Sequence, residues 1–151
     1  MIKLTNFIVV ALAAMGAVAL ADNRPNILLI VADDLGYADV GFNGLTDFTT
    51  PNIDLLADQG IRFTHGYASH SFCSPTRAGL MTGRYQSRFG YEGNPQRDDN
   101  HVMPPEQGLP DAEECLAETL AAADYRTGLI GKWHLGELDQ HHPLRHGFKH
   151  F

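Results

Sequence analysis

The sequence predicts an α/β fold with a mostly parallel sheet and crossover helices. Three observations carry this: an almost continuous apolar run at 26–32, helix signals at 51–59 and 112–123, and further strand-like segments at 61–67 and 127–130. The alternation strand, helix, strand, helix, strand is the order that parallel sheets require. With 151 residues, 44% of them hydrophobic and 19% charged, the chain carries material for one globular core.

Residues 1–21 read as a signal peptide rather than as part of the fold. Lys3 precedes the apolar run from Phe7 to Val18, and Ala19 and Ala21 flank Leu20 as a signal peptidase requires. Cleavage would leave Asp22 first. The run falls short of the roughly 20 apolar residues of a membrane span, so an exported protein with no stable span after cleavage is expected. A net charge of −7 argues against a protein held on nucleic acid by phosphate neutralisation.

In the remaining chain, Ile27, Leu28, Leu29, Ile30 and Val31 read as a strand buried on both faces. Thr50 offers an N-cap, Pro51 suits the first helical position, and Gly60 can close a helix over 51–59. Ile61, Phe63, His65 and Tyr67 alternate with polar or small residues, as in a half-buried strand. Residues 84–110 are rich in Gly, Pro, Asn, Asp and Gln and form a long surface loop. Asp111 and Glu114 suggest a capping box before a helix over 112–123, in which Leu116, Leu120 and Ala123 share a face. The compact segment 127–130 reads as the third strand.

Three places carry chemistry. Asp33 and Asp34 follow the first strand, where ligands of α/β sheets sit, and two carboxylates there can converge on a hard cation if the chain turns at Gly36. A solvated turn is the plainer alternative. Next comes Ser71-Phe72-Cys73-Ser74-Pro75-Thr76-Arg77, with Ser74 as N-cap, Pro75 at the first helical position and Gly83 as the stop. Cys73 then lies just outside the positive end of a helix dipole, with Arg77 about one turn in, able to reach back toward residue 73 and a tetrahedral anion. A thiol-phosphatase loop would need its arginine where Gly79 stands. In an oxidising compartment, a disulfide between Cys73 and Cys115 is the competing expectation. The third place is Gly131-Lys132-Trp133-His134, where extended chain would put Lys132 and His134 on one face and Trp133 on the other, in packing.

Taken together, Arg24-Pro25-Asn26-Ile27 leading into Ala32-Asp33-Asp34-Leu35-Gly36, then Cys73-Ser74-Pro75-Thr76-Arg77 with Leu80-Met81-Thr82-Gly83-Arg84, then Gly131-Lys132-Trp133-His134, resemble the type I sulfatase family. The resemblance implies an alkaline-phosphatase-like α/β fold, with 22–151 as the N-terminal part of a longer catalytic domain. It implies a sulfuric ester hydrolase, arylsulfatase-like, in which a maturation enzyme oxidises Cys73 to formylglycine. Asp33, Asp34 and the modified residue 73 would then be calcium ligands. Arg77 would hold the hydrated aldehyde, while Lys132 and His134 would contact sulfate and nucleophile. Family members are several times longer and draw further calcium ligands from later sequence, so the chain alone is expected to be inactive. Two other readings remain open at this level: a phosphate or phosphonate ester hydrolase of the same superfamily, and a non-enzymatic exported domain with a Cys73 to Cys115 disulfide.

Overall fold

The structure is a computed structural model that describes residues 24–101, 103–104 and 106–151. The proposed signal peptide over 1–21 lies outside the described residues. Two compact units are distinguished, one ending at Ala32 and the other running from Asp33 to Phe151.

In the first unit, residues 26–32 do not form the expected buried strand. Leu28 is 84% exposed and Ile30 74%, and no strand is assigned to the segment. An apolar run states what a segment needs around it but supplies none of the neighbours, and a strand exists only through hydrogen bonds to a partner.

Among the described residues the second unit holds three α-helices. The first, α1 (Pro51–Gln59), has the predicted limits. Thr50 contributes by an unexpected route: its hydroxyl accepts from the Gly41 N–H at 2.8 Å and donates to Asp54 Oδ1 at 3.0 Å. The same carboxylate oxygen accepts from the Phe42 N–H at 2.8 Å, so the start of α1 holds the 3-10 turn Gly41–Asn43. A Cβ at residue 41 would meet Asp54 Oδ2 at 2.3 Å, which makes glycine necessary for this approach. Gly60 ends α1 in extended rather than left-handed backbone. Beyond it, 61–67 is no strand: the chain turns at Thr64 and His65, and Ile61, Phe63 and Tyr67 are all more than 80% exposed. Alternation there was a real pattern without a partner to pair with.

The second helix, α2 (Cys73–Thr82), starts earlier than Pro75 as first helical residue would have it. Phe72 is the N-cap, so Cys73 lies inside the first turn instead of just before it. Gly83 ends α2 in the left-handed conformation, φ 64°, as expected. The third helix, α3 (Leu116–Ala122), is shorter than 112–123, and its capping box pairs Cys115 with Glu118 rather than Asp111 with Glu114. The Glu118 carboxylate accepts from the Cys115 N–H at 2.7 Å. This later start rotates the buried side onto Ala117 and leaves Leu116 exposed.

One core joins these helices. Ala78 and Met81 of α2 meet Cys115 and Ala117 at the start of α3, together with Tyr91, Leu109, Trp133 and Leu135. The segment 84–110 is therefore less of a surface loop than predicted, since Gln86, Tyr91, Met103 and Leu109 are buried. Arg84 Nη1 donates to Glu113 Oε2 at 2.5 Å and ties the end of α2 to the approach to α3. Segment 127–130 is extended enough for one parallel bridge, Gly128 with His150, in which Lys149 N–H donates to Thr127 O and Leu129 N–H to His150 O, both at 3.0 Å. Among the described residues this bridge is the sole sheet pairing. Gly147 (φ 87°) follows closely on the α3 backbone, where a Cβ would lie 2.3 Å from Glu118 N.

Candidate functional site

Cys73, Arg77, Asp33, Lys132 and His134 come together at the start of α2. Both cysteines are free, Cys115 being buried as the α3 N-cap, so the expected disulfide is absent. Phe72 offers no capping side chain, and the need is met from a distance: Asn94 Oδ1 accepts from the Ser74 N–H at 3.1 Å. That oxygen also accepts from Cys73 Sγ at 3.5 Å. On the other side, Sγ lies 3.3 Å from His134 Nδ1.

His134 has a left-handed backbone, φ 60°, which breaks the extended-chain alternation assumed for Lys132 and His134. The conformation is held by Ser74, fully buried, whose hydroxyl donates to the His134 carbonyl at 2.5 Å. Since Ser74 has a single proton and spends it there, the Tyr91 hydroxyl is the donor in its 2.9 Å contact with Ser74 Oγ. Burial raises the Tyr91 phenol above its ordinary range, which the Ser74 hydrogen bond only partly opposes. Trp133 packs in the core as predicted and donates from Nε1 to His141 O at 2.8 Å.

Arg77 does not reach back toward residue 73. Its Nη1 donates to the Lys132 carbonyl at 2.7 Å and its Nη2 to Asp33 Oδ1 at 3.3 Å. Lys132 Nζ donates to the other oxygen, Asp33 Oδ2, at 3.3 Å. Asp33 thus sits between two cations and holds two separate stretches of chain at one point. The Lys132 hydrogen bond, helped by Arg77, keeps the Asp33 carboxyl below the usual range against the contrary pull of burial. Burial pushes the Lys132 ammonium down, but Asp33 and Cys73 beside it outweigh that and leave it raised. His134 is lowered first by burial and then by the charges of Lys132 and Arg77, both of which disfavour the imidazolium.

The metal set fares differently. The chain does turn at the aspartates, with Asp34 at φ 56°, a backbone that aspartate tolerates better than most residues. Yet among the described residues no three His, Cys, Asp or Glu side chains are arranged to hold a metal ion. Of the three residues expected to face calcium, Asp33 has its carboxylate paired with Arg77 and Lys132. Calcium takes six to eight oxygens, which these three residues would not fill in any case.

Reading from the sequence missed Asn94, Ser74 and Tyr91 as parts of this arrangement. The Asn-Pro pair at 94 and 95 is an ordinary loop signal, and nothing local tells that its carboxamide caps a helix that begins at residue 73. Ser74 was assigned the cap itself; it is instead the brace for His134.

Comparison with known proteins matches residues 25–151 to the sulfatase family model. Bovine arylsulfatase A is 48% identical over 143 residues, covering 91% of this chain and 27% of that protein. Mouse N-acetylgalactosamine-6-sulfatase is 41% identical over 144 residues, 93% of this chain and 28% of that one. Among solved structures, Ps i-CgsB matches with a TM-score of 0.75 and 50% identity over 83% of this chain and 27% of its own. That protein is also known in complex with k-i-k-neocarrahexaose. The chain spans about a quarter of the length of these relatives. Their likeness implies an α/β fold of the alkaline-phosphatase type. The match runs unbroken from before the aspartate pair to beyond His134, and on that ground the chain belongs to the sulfatase family.

Proposed function

We propose that this chain carries the nucleophile end of an exported sulfuric ester hydrolase that works through formylglycine at residue 73. The observation behind the reading is the placing of Cys73 3.3 Å from His134, next to two cations gathered on Asp33. Hydrated formylglycine would supply one hydroxyl to attack sulfur and a second whose loss of a proton returns the aldehyde and expels sulfate.

The chain's own residues would do the rest. Lys132 and Arg77 offset the negative charge that builds on the sulfuryl oxygens as the S–O bond to the alcohol breaks. His134 Nδ1, on the residue 73 side, would accept a proton from a hydroxyl at that position in the tautomer that leaves Nδ1 bare. Ser74 and Tyr91 hold the His134 backbone so that the ring stays aimed. In the longer polypeptide, Asp33, Asp34 and residue 73 would give calcium part of its shell, once Asp33 shifts from its cations, with further oxygens drawn from elsewhere. The mostly parallel sheet belongs to the same reading, with 26–32 as a strand once neighbours flank it.

Sulfate esters are the substrate class, by analogy with the arylsulfatase and N-acetylgalactosamine-6-sulfatase relatives. A formylglycine-generating enzyme would be the maturation partner, and residues 1–21 would direct export. Among the described residues no helix is long and apolar enough to cross a membrane.

The test is turnover of an aryl sulfate against the matching aryl phosphate by the full polypeptide, alongside mass spectrometry of the peptide bearing residue 73. Sulfate preference with a converted residue 73 is the expected result. A phosphate preference, or ester cleavage with residue 73 wholly unconverted, would overturn it. The 151-residue chain alone is expected to show no turnover with added calcium.

A further inference from the structure

Residue 73 has a polar partner on each of two sides, and the Asn94 one is an acceptor. His134 Nδ1 lies 3.3 Å from Sγ and Asn94 Oδ1 lies 3.5 Å from it. The identity of the Asn94 atom is fixed by chemistry: the Ser74 N–H, a donor, points at it from 3.1 Å, so it is the carbonyl oxygen and not the amide nitrogen that faces residue 73. Its loop is anchored nearby, because buried Tyr91 is hydrogen-bonded to Ser74 Oγ at 2.9 Å. A thiol with its one proton on Asn94 Oδ1 can only accept from His134 Nδ1, which ties it to one imidazole tautomer. A geminal diol at the same carbon has a second hydroxyl and can donate to Asn94 while meeting His134 in either tautomer, whereas a bare aldehyde would set its carbonyl oxygen against the Asn94 acceptor and donate nothing to it.

We propose that Asn94 is a positioning residue that holds residue 73 as its hydrate, its Oδ1 accepting a hydrogen bond from one hydroxyl of the diol. The proposal rests on the formylglycine reading above. Sγ stands in for one of the two hydroxyl oxygens. Hydration adds water across the C=O bond: oxygen binds carbon, one proton goes to the former carbonyl oxygen, and the equilibrium is set by how well both new O–H groups are received. Asn94 receives one and at the same time caps the helix that carries residue 73, so orientation and hydration have a single source. Asn94 is too weak a base to take the proton, which leaves that task to the His134 side.

The hydrate-to-aldehyde ratio can be read directly by ¹³C NMR of the full polypeptide labelled at cysteine Cβ and matured to formylglycine. Asn94→Ala is expected to raise the aldehyde share about two- to tenfold, the worth of one net hydrogen bond. With activity counted per converted residue 73, kcat should fall by a similar factor or more while KM changes little. Asn94→Asp keeps an acceptor toward both Ser74 N–H and the diol, so the hydrate share should stay at or above that of the parent. Its charge facing the sulfate should instead raise KM. An unchanged ratio in Asn94→Ala, or an aldehyde share in Asn94→Asp above the parent, would overturn the proposal, and the Asp variant decides the matter even if the Ala variant does not fold. An active parent enzyme with residue 73 still a thiol would instead remove the formylglycine reading itself.

Discussion

Residues 73–82 with 132–135, set against residues 51–67, show two ways in which a segment can be ordered. Around α2, the polar atoms of its first turn reach distant stretches: Ser74 bonds His134, Arg77 bonds Lys132 and Asp33, and Asn94 bonds Ser74. Around α1, the contacts are local, between Thr50, Asp54 and the turn at 41–43, and the helix has no buried residue. Capping and a proline at the first helical position are enough to form a helix, yet they do not give it anything to pack on. The difference teaches that element formation and element burial are separate questions, answered by different parts of the sequence.

The sharpest way to probe the contrast is at Arg77, which bridges two remote segments. Arg77→Ala should lower turnover of sulfate esters by about 10²–10³-fold in the full polypeptide, since it removes a charge facing the developing oxyanion and frees the Lys132 backbone. Steady-state kinetics at saturating substrate would read this. A loss of less than about tenfold would mean that Arg77 is structural only.

Ser74→Ala comes next. It leaves the His134 carbonyl without the buried hydroxyl and deprives the Tyr91 hydroxyl of its acceptor, at a cost of about 1–3 kcal/mol by denaturant unfolding. The same change should reduce kcat, because the His134 ring loses its brace.

Protonation gives a smaller effect with a defined sign. His146 is 2% exposed and held below the ordinary histidine range, chiefly by burial. The unfolded chain therefore binds the proton more readily than the folded one, so the stability tied to a neutral His146 is complete above about pH 6.5 and is lost as pH falls below it. Denaturant midpoints measured from pH 8 to pH 5 should show that decline, and His146→Asn should flatten it.

The smallest effect is expected where the apolar residues are bare. Phe63 is 82% exposed, so Phe63→Ser in the 151-residue chain should change stability by less than about 0.5 kcal/mol. A loss several times larger on the full polypeptide than on this chain would show that residues 61–67 are covered there.

The parts of the site that the sequence made legible are those with a local signature. Cys73, Arg77, Lys132, His134 and Asp33 could each be singled out from motif and spacing, and the structure brings these five to one place. Asp34 turned where a turn was needed, whereas the pairing of Asp33 with Lys132, which comes from far along the chain, had no local signal. Of the helices, α1 was predicted to the residue because Thr50 and Pro51 mark its start within two positions. The onset of α3 was misplaced because two candidate boxes lie four residues apart, and the choice between them depends on burying Cys115. Strands at 26–32 and 61–67 were read from hydrophobic pattern alone, which records a preference for company and carries no information on whether a partner is at hand.

The contact between Cys73 and His134 spans 61 positions. On a ribosome adding about 5–20 residues each second, residue 73 is joined to the chain roughly 3–12 s before His134 is. Closure of the pair is thus a late event in the life of the nascent polypeptide. On the formylglycine reading proposed above, an enzyme that converts residue 73 would have the interval before that closure, rather than an opening motion of the finished protein, to work within.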